Sequence, residues 1–264
     1  AISNIHSTAR RNRRKYRLLF LGSGSAFTTD NWQSNMLFST PSGQNLLIDC
    51  GGDARHALRD HGKTAKDIHA VYISHLHNDH IGGLEWLGFS TFFGKLPRPK
   101  LFIHGSLVDA LWRALSPGMS SLEGQHATLE TFFDVHSVGK NGGFEFEDVH
   151  FDLVQVVHIV SEFSVEASFG LLFDMEKQTV FLTTDTQFSP NQIAAFYGKA
   201  DVIFHDVETG KFPSGVHAHF DFLKTLTPET KAKMWLYHYN DGPLPNAKLN
   251  GFKGFVGCGQ SFYF

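Results

Sequence analysis

The sequence has very little cysteine: only Cys50 and Cys258 occur among its 264 residues. Two cysteines cannot build the disulfide framework that stabilises many small secreted domains. A reducing compartment is the simpler inference, and we expect the protein to be cytoplasmic.

Long apolar runs and a strong excess of charge are also missing. No apolar stretch approaches the roughly 20 residues of a membrane-spanning helix, so no membrane partner is expected. The formal net charge of −3 argues against bulk electrostatic binding of nucleic acid. A hydrophobic content of 42% is typical of a globular protein with one large domain or two small ones.

Positive charge is concentrated near the amino terminus. The residues concerned are Arg10, Arg11, Arg13, Arg14 and Lys15, which show no apolar periodicity. A targeting signal would need an apolar or amphipathic stretch, which this segment lacks. We predict that residues 1–16 form a flexible basic arm and that residues 17–264 form the folded domain. Contact of the arm with phosphate or with a partner subunit is the alternative.

The most informative stretch follows a predicted strand, Ala70–Ile73. It places His75, His77, Asp79 and His80 within six positions. Imidazole nitrogen and carboxylate oxygen are ligands that zinc, manganese and iron(II) prefer. In an extended segment the first two histidines share a face and can reach one ion, while the Asp-His pair can reach a second. A histidine-rich surface loop is the plainer interpretation.

Three more candidate ligands occur later in the chain. His158, Asp185 and His238 each lie, like His75, just past a predicted apolar strand. In mixed α/β architectures such strand ends gather at one edge, where sites form. We therefore predict two ligand sets: His75, His77 and His158 for one ion, and Asp79, His80 and His238 for the other, with Asp185 bridging. Both ions would lower the pKa of a shared water toward neutrality.

The order of the predicted elements indicates the fold class. Strand pairs come first and strands alternating with helices follow, and this pattern occurs in both halves of the chain. We predict an α+β protein with two mixed β-sheets packed together and flanked by helices. The helix beginning at Leu84 is predicted to end at Gly88, and the one beginning at Val108 to end before Pro117.

The histidine motif, followed in order by His158, Asp185 and His238, resembles the metallo-β-lactamase superfamily from about Leu18 to Phe264. The resemblance implies an αββα sandwich with the metal ions at one edge between the sheets. It also implies two divalent ions as cofactors, with Zn²⁺ as the first choice and Mn²⁺ as the alternative.

Within that superfamily the chain is similar to the tRNase Z-like phosphodiesterase branch. The stretch Leu19–Phe27 resembles the opening of that branch, and His205-Asp206 resembles a late strand that ends in His-Glu. The resemblance implies that Asp206 orients His217, which contacts the scissile phosphate or protonates the leaving oxygen. Asp79 would both hold a metal and orient the hydroxide. His219 has no counterpart and is expected to be an ordinary polar residue.

The substrate is predicted from features in which this chain differs from the tRNA-processing members of the branch. Only 26 residues separate His158 from Asp185, which leaves no room for the long arm with which tRNA-processing members grip tRNA. The segments Val216–Tyr239 and Gly251–Phe255 look similar to small cyclic-nucleotide phosphodiesterases, a group that includes the anti-Pycsar proteins with which phages destroy host alarm signals.

This finer resemblance implies hydrolysis of 3′,5′-cyclic UMP, CMP, AMP and GMP to nucleoside monophosphates, in the host cytoplasm if a phage encodes the protein. It also implies a homodimer. Phe89, Phe92 or Phe93 are candidates for stacking on the base, although core packing is the commoner role of such residues. The alternatives are an RNA phosphodiesterase, a hydrolase of other small esters on the same site, and an inactive metal-bound protein that sequesters nucleotides.

Overall fold

Two seven-stranded sheets make up most of the protein in a computed structural model that describes residues 15–264. The predicted basic arm thus lies almost wholly outside the described residues. Its last residue, Tyr16, is among the described residues and stacks on Phe38 with ring centroids 5.9 Å apart. No helix within residues 15–264 is long and apolar enough to cross a membrane.

The first sheet holds the amino-terminal strands and the last strand of the chain. Its strands are β1 (Arg17–Phe20), β2 (Met36–Ser39), β3 (Asn45–Ile48), β4 (Ala70–Ile73), β5 (Lys100–His104), β8 (Asp134–Val138) and β16 (Ser261–Tyr263). They lie in the order β16-β1-β2-β3-β4-β5-β8. Pairing is antiparallel from β16 to β3 and parallel from β3 to β8. A short ribbon, β6 (Ser121–Leu122) and β7 (Gln125–His126), lies outside both sheets.

The second sheet repeats this arrangement with the later strands. They are β9 (Gly143–Phe146), β10 (Val149–Val160), β11 (Val165–Met175), β12 (Gln178–Leu182), β13 (Val202–Asp206), β14 (Met234–Tyr237) and β15 (Gly254–Phe255). They lie in the order β15-β14-β13-β12-β11-β10-β9. Pairing is antiparallel from β9 to β12 and parallel from β12 to β15.

Helices cover the outer face of each sheet. They are α1 (Ala54–Asp60), α2 (Asn78–Ile81), α3 (Leu84–Phe93), α4 (Val108–Met119), α5 (Leu129–Phe132), α6 (Pro190–Lys199), α7 (Phe220–Leu223) and α8 (Pro228–Ala232). Apolar residues of α1, α3, α4 and α5 pack on the first sheet, and those of α6 and α7 on the second. The layers are therefore helix, sheet, sheet and helix, which confirms the predicted αββα sandwich.

Alternation within the strands separates the apolar layers. In β1, Leu18 and Phe20 face the second sheet, whereas Leu19 faces the helices. Both faces are buried, and for this reason the strand is an uninterrupted apolar run. Aromatic rings fill the space between the sheets: Phe38 meets Phe151 edge to face at 5.3 Å between ring centroids. Of the 26 phenylalanines, 11 lie in or against this inter-sheet core.

Two predicted helix ends were wrong. Helix α3 does not end at Gly88 but continues to Phe93. Gly88 lies inside the helix where the neighbouring α4 comes close: a Cβ on Gly88 would lie 2.8 Å from Met119 Cε. Helix α4 continues through Pro117 to Met119, so the proline removes a backbone donor only in the last turn.

Truncation of Phe38 tests the inter-sheet core. We expect Phe38→Ala to lower the free energy of unfolding by about 3–5 kcal/mol, because the fully buried ring leaves a cavity. Urea denaturation followed by circular dichroism would measure the change. Phe93→Ala is the matched control: that ring is 67% exposed, and its loss should cost less than about 1 kcal/mol. Equal effects of the two substitutions would contradict the assigned layers.

Candidate metal centre

The seven predicted ligands come from four segments that meet at one edge of the sandwich. His75 follows β4. His77 is the N-cap residue of α2, and Asp79 and His80 lie in the single turn of that helix. Asp185 and His238 follow the parallel strands β12 and β14. The carboxyl ends of these parallel strands bring distant parts of the sequence together.

His158 reaches the same edge in a different way from the one predicted. It lies inside β10 rather than past its end, and the pairing of β10 with β11 shifts register between Val157 and Ile159. A β-bulge of this kind leaves one residue outside the regular ladder and re-aims its side chain. The bulge thus directs the His158 ring at the other ligands.

Backbone strain accompanies these strand ends. Asp49, Thr184 and His238 have φ values of 61°, 57° and 70°, in the left-handed region that non-glycine residues seldom adopt. The conformation is least favourable for Thr184, whose side chain branches at Cβ. Tertiary contacts offset the cost: the amide of His238, for example, donates to the Ser23 carbonyl at 2.8 Å.

The first ligand set consists of His75, His77, His158 and Asp185. His77 Nδ1 lies 3.1 Å from both His75 Nε2 and His158 Nε2. Asp185 Oδ2 lies 3.6 Å from His75 Nε2 and 3.7 Å from His158 Nε2. Four potential ligand atoms therefore surround one point.

The second set consists of Asp79, His80, His238 and the same Asp185. Asp79 Oδ2 lies 3.1 Å from His80 Nε2 and 3.2 Å from His238 Nε2. Asp185 Oδ2 lies 3.2 Å and 3.3 Å from the same two nitrogens. One oxygen of Asp185 therefore belongs to both sets, as expected of a bridging carboxylate.

The distances fit divalent cations. Tetrahedral ligands at about 2.0 Å from an ion lie about 3.3 Å from one another, close to the observed range of 3.1 to 3.7 Å. The other carboxylate oxygen, Asp185 Oδ1, is buried and accepts no hydrogen bond from a described residue. A buried anionic oxygen without a donor is costly unless a cation is near.

Hydrogen bonds on the far side of the rings set the imidazole tautomers. His80 Nδ1–H donates to Asp49 Oδ2 at 2.7 Å, and His158 Nδ1–H donates to the Val216 carbonyl at 2.7 Å. Ser74 donates to Asp49, so His75 Nδ1–H must donate to the Ser74 hydroxyl at 2.9 Å. Each of these rings then directs an Nε2 lone pair at the cluster, which is how histidine binds a metal.

Asp49 is a residue that the sequence reasoning missed. It is buried at the end of β3 and supports His80 directly and His75 through Ser74. The available signal was its place after the apolar run of β3, the same rule that selected Asp185 and His238.

The electrostatics of the cluster favour added positive charge. Burial lowers the pKa of His80, but Asp185, Asp79 and Asp49 outweigh it and raise that pKa well above its usual range. Burial raises the pKa of Asp79, yet His80 and His238 together bring it well below its usual range. The carboxylates thus stay ionised in a site from which most water is excluded.

The predicted pair of Asp206 and His217 lies beside the second set. His217 Nδ1–H donates to Asp206 Oδ2 at 2.7 Å, and the His217 ring stacks on His238 with centroids 4.8 Å apart. The Thr186 amide also donates to Asp206 Oδ2, at 2.9 Å. Burial lowers the pKa of the His217 imidazole, but the nearby Asp206 carboxylate outweighs this effect and raises the pKa of His217 to about 10. The shorter acid, Asp in place of Glu, therefore still reaches its histidine.

Other candidates have structural contacts. His219 Nε2–H donates to the Gly210 carbonyl at 2.8 Å, and its Nδ1 accepts from the Asp221 amide at the start of α7. Phe89 and Phe92 pack on Phe132 in the helical layer, with centroids 5.3 and 5.6 Å away. These contacts favour a core role over base stacking for both rings.

Comparison with known proteins agrees with this geometry. The sequence profile of the family described as "Anti-Pycsar protein Apyc1" matches residues 16–262. The chain belongs to this family. Two Apyc1 relatives illustrate its range. The anti-Pycsar protein Apyc1 of Paenibacillus sp. (strain J14) is 32% identical over 91% of this chain and 94% of its own length. That of Bacillus phage vB_BsuM-Goe3 is 30% identical over 85% and 89%.

Solved structures support the fold. The metallo-β-lactamase fold protein YhfI from Bacillus subtilis superposes with a TM-score of 0.74 at 17% identity, covering 95% of this chain and 100% of that protein. A diphosphatase from the PhnP family superposes with a TM-score of 0.72 at 21% identity, covering 95% and 98%. The Apyc1-family chain therefore has the metallo-β-lactamase fold.

Asp49 provides a test of the support around the ligands. We expect Asp49→Asn to weaken metal binding roughly 10- to 100-fold, because an amide of the same shape cannot supply the negative charge that both rings rely on. Competition with a chelator, followed by metal analysis of the protein, would measure this. Asp134→Asn is the matched control, since it removes a carboxylate from an exposed pair with His136. Unchanged metal affinity in Asp49→Asn would contradict the assigned support.

Proposed function

We propose that this chain is a metal-dependent phosphodiesterase that hydrolyses 3′,5′-cyclic nucleotides to nucleoside monophosphates. The observation that carries the proposal is the shared Asp185 oxygen between two ligand sets, with the Asp206–His217 pair beside it. Membership in the anti-Pycsar Apyc1 family supports a cyclic-nucleotide substrate.

The proposed cofactors are two divalent cations, with Zn²⁺ first and Mn²⁺ as the alternative. The seven ligands described above would hold them, with Asp185 between the two. When bound, such ions act as Lewis acids that make hydroxide available at neutral pH and offset charge on phosphate oxygens. Asp79 has the further role of orienting the attacking water.

His217 is the proposed general acid. Its Nδ1–H is committed to Asp206, so Nε2 is the nitrogen available to the substrate. A proton at Nε2 would pass to the ribose oxygen as the P–O bond breaks, and the charge of Asp206 would stabilise the protonated ring before transfer. Asp206 is fully buried and accepts a hydrogen bond from the Thr186 amide, so its carboxylate is held in place to orient the ring.

The surroundings favour a small substrate over tRNA. The chain between His158 and Asp185 is taken up by the remainder of β10 and by β11 and β12, which pair within the second sheet. The basic residues at positions 10–15 number five, which leaves 18 Lys and Arg against 26 Asp and Glu in the rest of the chain, a net charge of −8. Such a domain has little electrostatic affinity for a polyanion.

Anti-Pycsar activity is the biological role we propose, namely removal of a cyclic-nucleotide signal. Relatives that carry the anti-Pycsar name occur both in a Paenibacillus strain and in a Bacillus phage, so the role would be immune evasion if the gene is viral. The homodimer that the resemblance implies and the cytoplasmic location inferred from the low cysteine content stay predictions.

Turnover is the direct test. We expect protein loaded with Zn²⁺ or Mn²⁺ to convert cyclic UMP, CMP, AMP and GMP to monophosphates, measured by chromatography of the products. Asp185→Ala should reduce turnover by at least about a thousandfold, because both ligand sets lose their shared oxygen. Absence of turnover with both metals would reject a cyclic-nucleotide substrate. Cleavage of an RNA 3′ trailer without cleavage of any cyclic nucleotide would reject it as well.

Replacement of His217 tests the general acid separately. We expect His217→Ala to lower kcat by roughly 10²- to 10⁴-fold while metal content stays unchanged, because the proposal assigns the residue to proton transfer and to neither ligand set. Steady-state kinetics and metal analysis on the same sample would decide. His136→Ala, which removes an exposed histidine that is likewise paired with an aspartate, should retain full activity. Retention of full activity by His217→Ala would refute the assigned role.

A further inference from the structure

A groove lies on the outer surface between α1 and α3, apart from the metal centre. It consists of two adjoining cavities of about 430 Å³ each, which share Arg55, Trp86 and Ser90. This size is within the range of small-molecule pockets. None of the seven predicted metal ligands lines either cavity, and neither does His217.

The charge of the groove is opposite to that of the domain. The cavity nearer the end of α1 is lined by Arg55, Arg59, Lys63 and Lys66 and by no carboxylate. The other cavity adds one carboxylate, Glu85, so the groove as a whole has four cations against one acid. The chain beyond position 15 has a net charge of −8, so this is a marked local excess of positive charge. A concave surface with an excess of one charge sign concentrates ligands of the opposite sign.

Two of these cations lie side by side on α1. Arg55 and Arg59 are four residues apart in the helix, which puts them on one side, while Lys63 and Lys66 lie beyond its end at Asp60 and line the same cavity. Like charges at this spacing repel. Arg59 approaches Asp60 at 3.6 Å, but among residues 15–264 neither Arg55, Lys63 nor Lys66 forms an ion pair. An anion bound in the groove would relieve the repulsion.

Aromatic and hydroxyl groups complete the lining. Trp86 is half-buried and lines both cavities, and His56 lines the cavity that holds the cations. Thr64 and Ser90 add hydroxyl groups. Indole and imidazole faces stack on nucleobases, and Arg and Lys side chains bind phosphates.

We propose that this groove binds a nucleoside polyphosphate, with its phosphates on the four cations and its base on Trp86. The proposal is independent of the proposed catalytic function, because it uses different residues and needs no metal. Four cationic side chains match the charge of a nucleoside triphosphate, and each cavity has a volume suited to a small molecule of that size.

Calorimetric titration of the full chain with ATP in excess EDTA tests the proposal, since the chelator removes metal-mediated binding at the other site. We expect saturable binding that the Arg59→Glu/Lys66→Glu double variant weakens at least roughly tenfold, through lost and reversed charge. The matched control is Lys199→Glu/Lys253→Glu, which reverses two exposed lysines elsewhere and should bind ATP normally. Circular dichroism would show that both variants are folded.

Two further probes separate the parts of the ligand. Tripolyphosphate should bind more weakly than ATP to the unaltered chain, and Trp86→Ala should reduce the affinity for ATP but not for tripolyphosphate. No saturable binding of ATP, or binding equally weakened in both charge variants, would overturn the proposal. Binding of a single-stranded oligoribonucleotide is a third outcome. If it binds more tightly than ATP and the Arg59→Glu/Lys66→Glu change weakens that binding, the ligand of the groove is RNA and the proposal of a nucleotide is overturned.

Discussion

Burial of several carboxylates at one edge of the sandwich is the constraint on which the site depends. Asp49, Asp79, Asp185 and Asp206 are each at most 5% exposed, and all four lie next to histidine rings. Anions in such surroundings need positive charge or donors close by. The protein supplies imidazoles whose inner nitrogens lie near the carboxylates, and the outer nitrogens of His75, His80 and His158 are engaged in hydrogen bonds. This arrangement suits cations better than it suits a network of protein groups alone.

The fold meets this constraint through parallel strands. β4 in the first sheet, and β12 and β14 in the second, deliver His75, Asp185 and His238 from their carboxyl ends to the same edge. The aromatic layer between the sheets holds those edges in register, because close packing resists relative sliding. Strained φ angles at Thr184 and His238 are stable only because this packing and the neighbouring hydrogen bonds determine the backbone.

Charge is divided unevenly over the molecule. The domain is acidic overall, yet a basic groove lies between α1 and α3, and the basic residues at positions 10–15 precede the first strand. Salt screens electrostatic fields in water beyond about 10 Å. The two predicted cations would therefore attract a small anion mainly through short-range contacts. An acidic surface repels long polyanions, which is consistent with the small substrate proposed above.

Much of the chemistry could be predicted from sequence because it resides in residue type and local spacing. The residue types and spacing in the run His75 to His80 predict a metal site in any fold that places this run at a strand end. The strand patterns indicate a layered α+β protein. Burial of both faces of the first sheet could also be anticipated, because β1 from Leu18 onward and β4 are continuous apolar runs.

What the sequence by itself determined, then, was the set of seven candidate ligands, the pairing of Asp206 with His217 through a resemblance, and the fold class. Only the tertiary structure decided that a bulge aims His158, that Asp49 supports two ligands, and that Gly88 is a packing residue within a helix. The same holds for β16, which returns from the end of the chain to pair with β1. These features depend on contacts between residues far apart in the chain, and local propensity contains no information about such contacts.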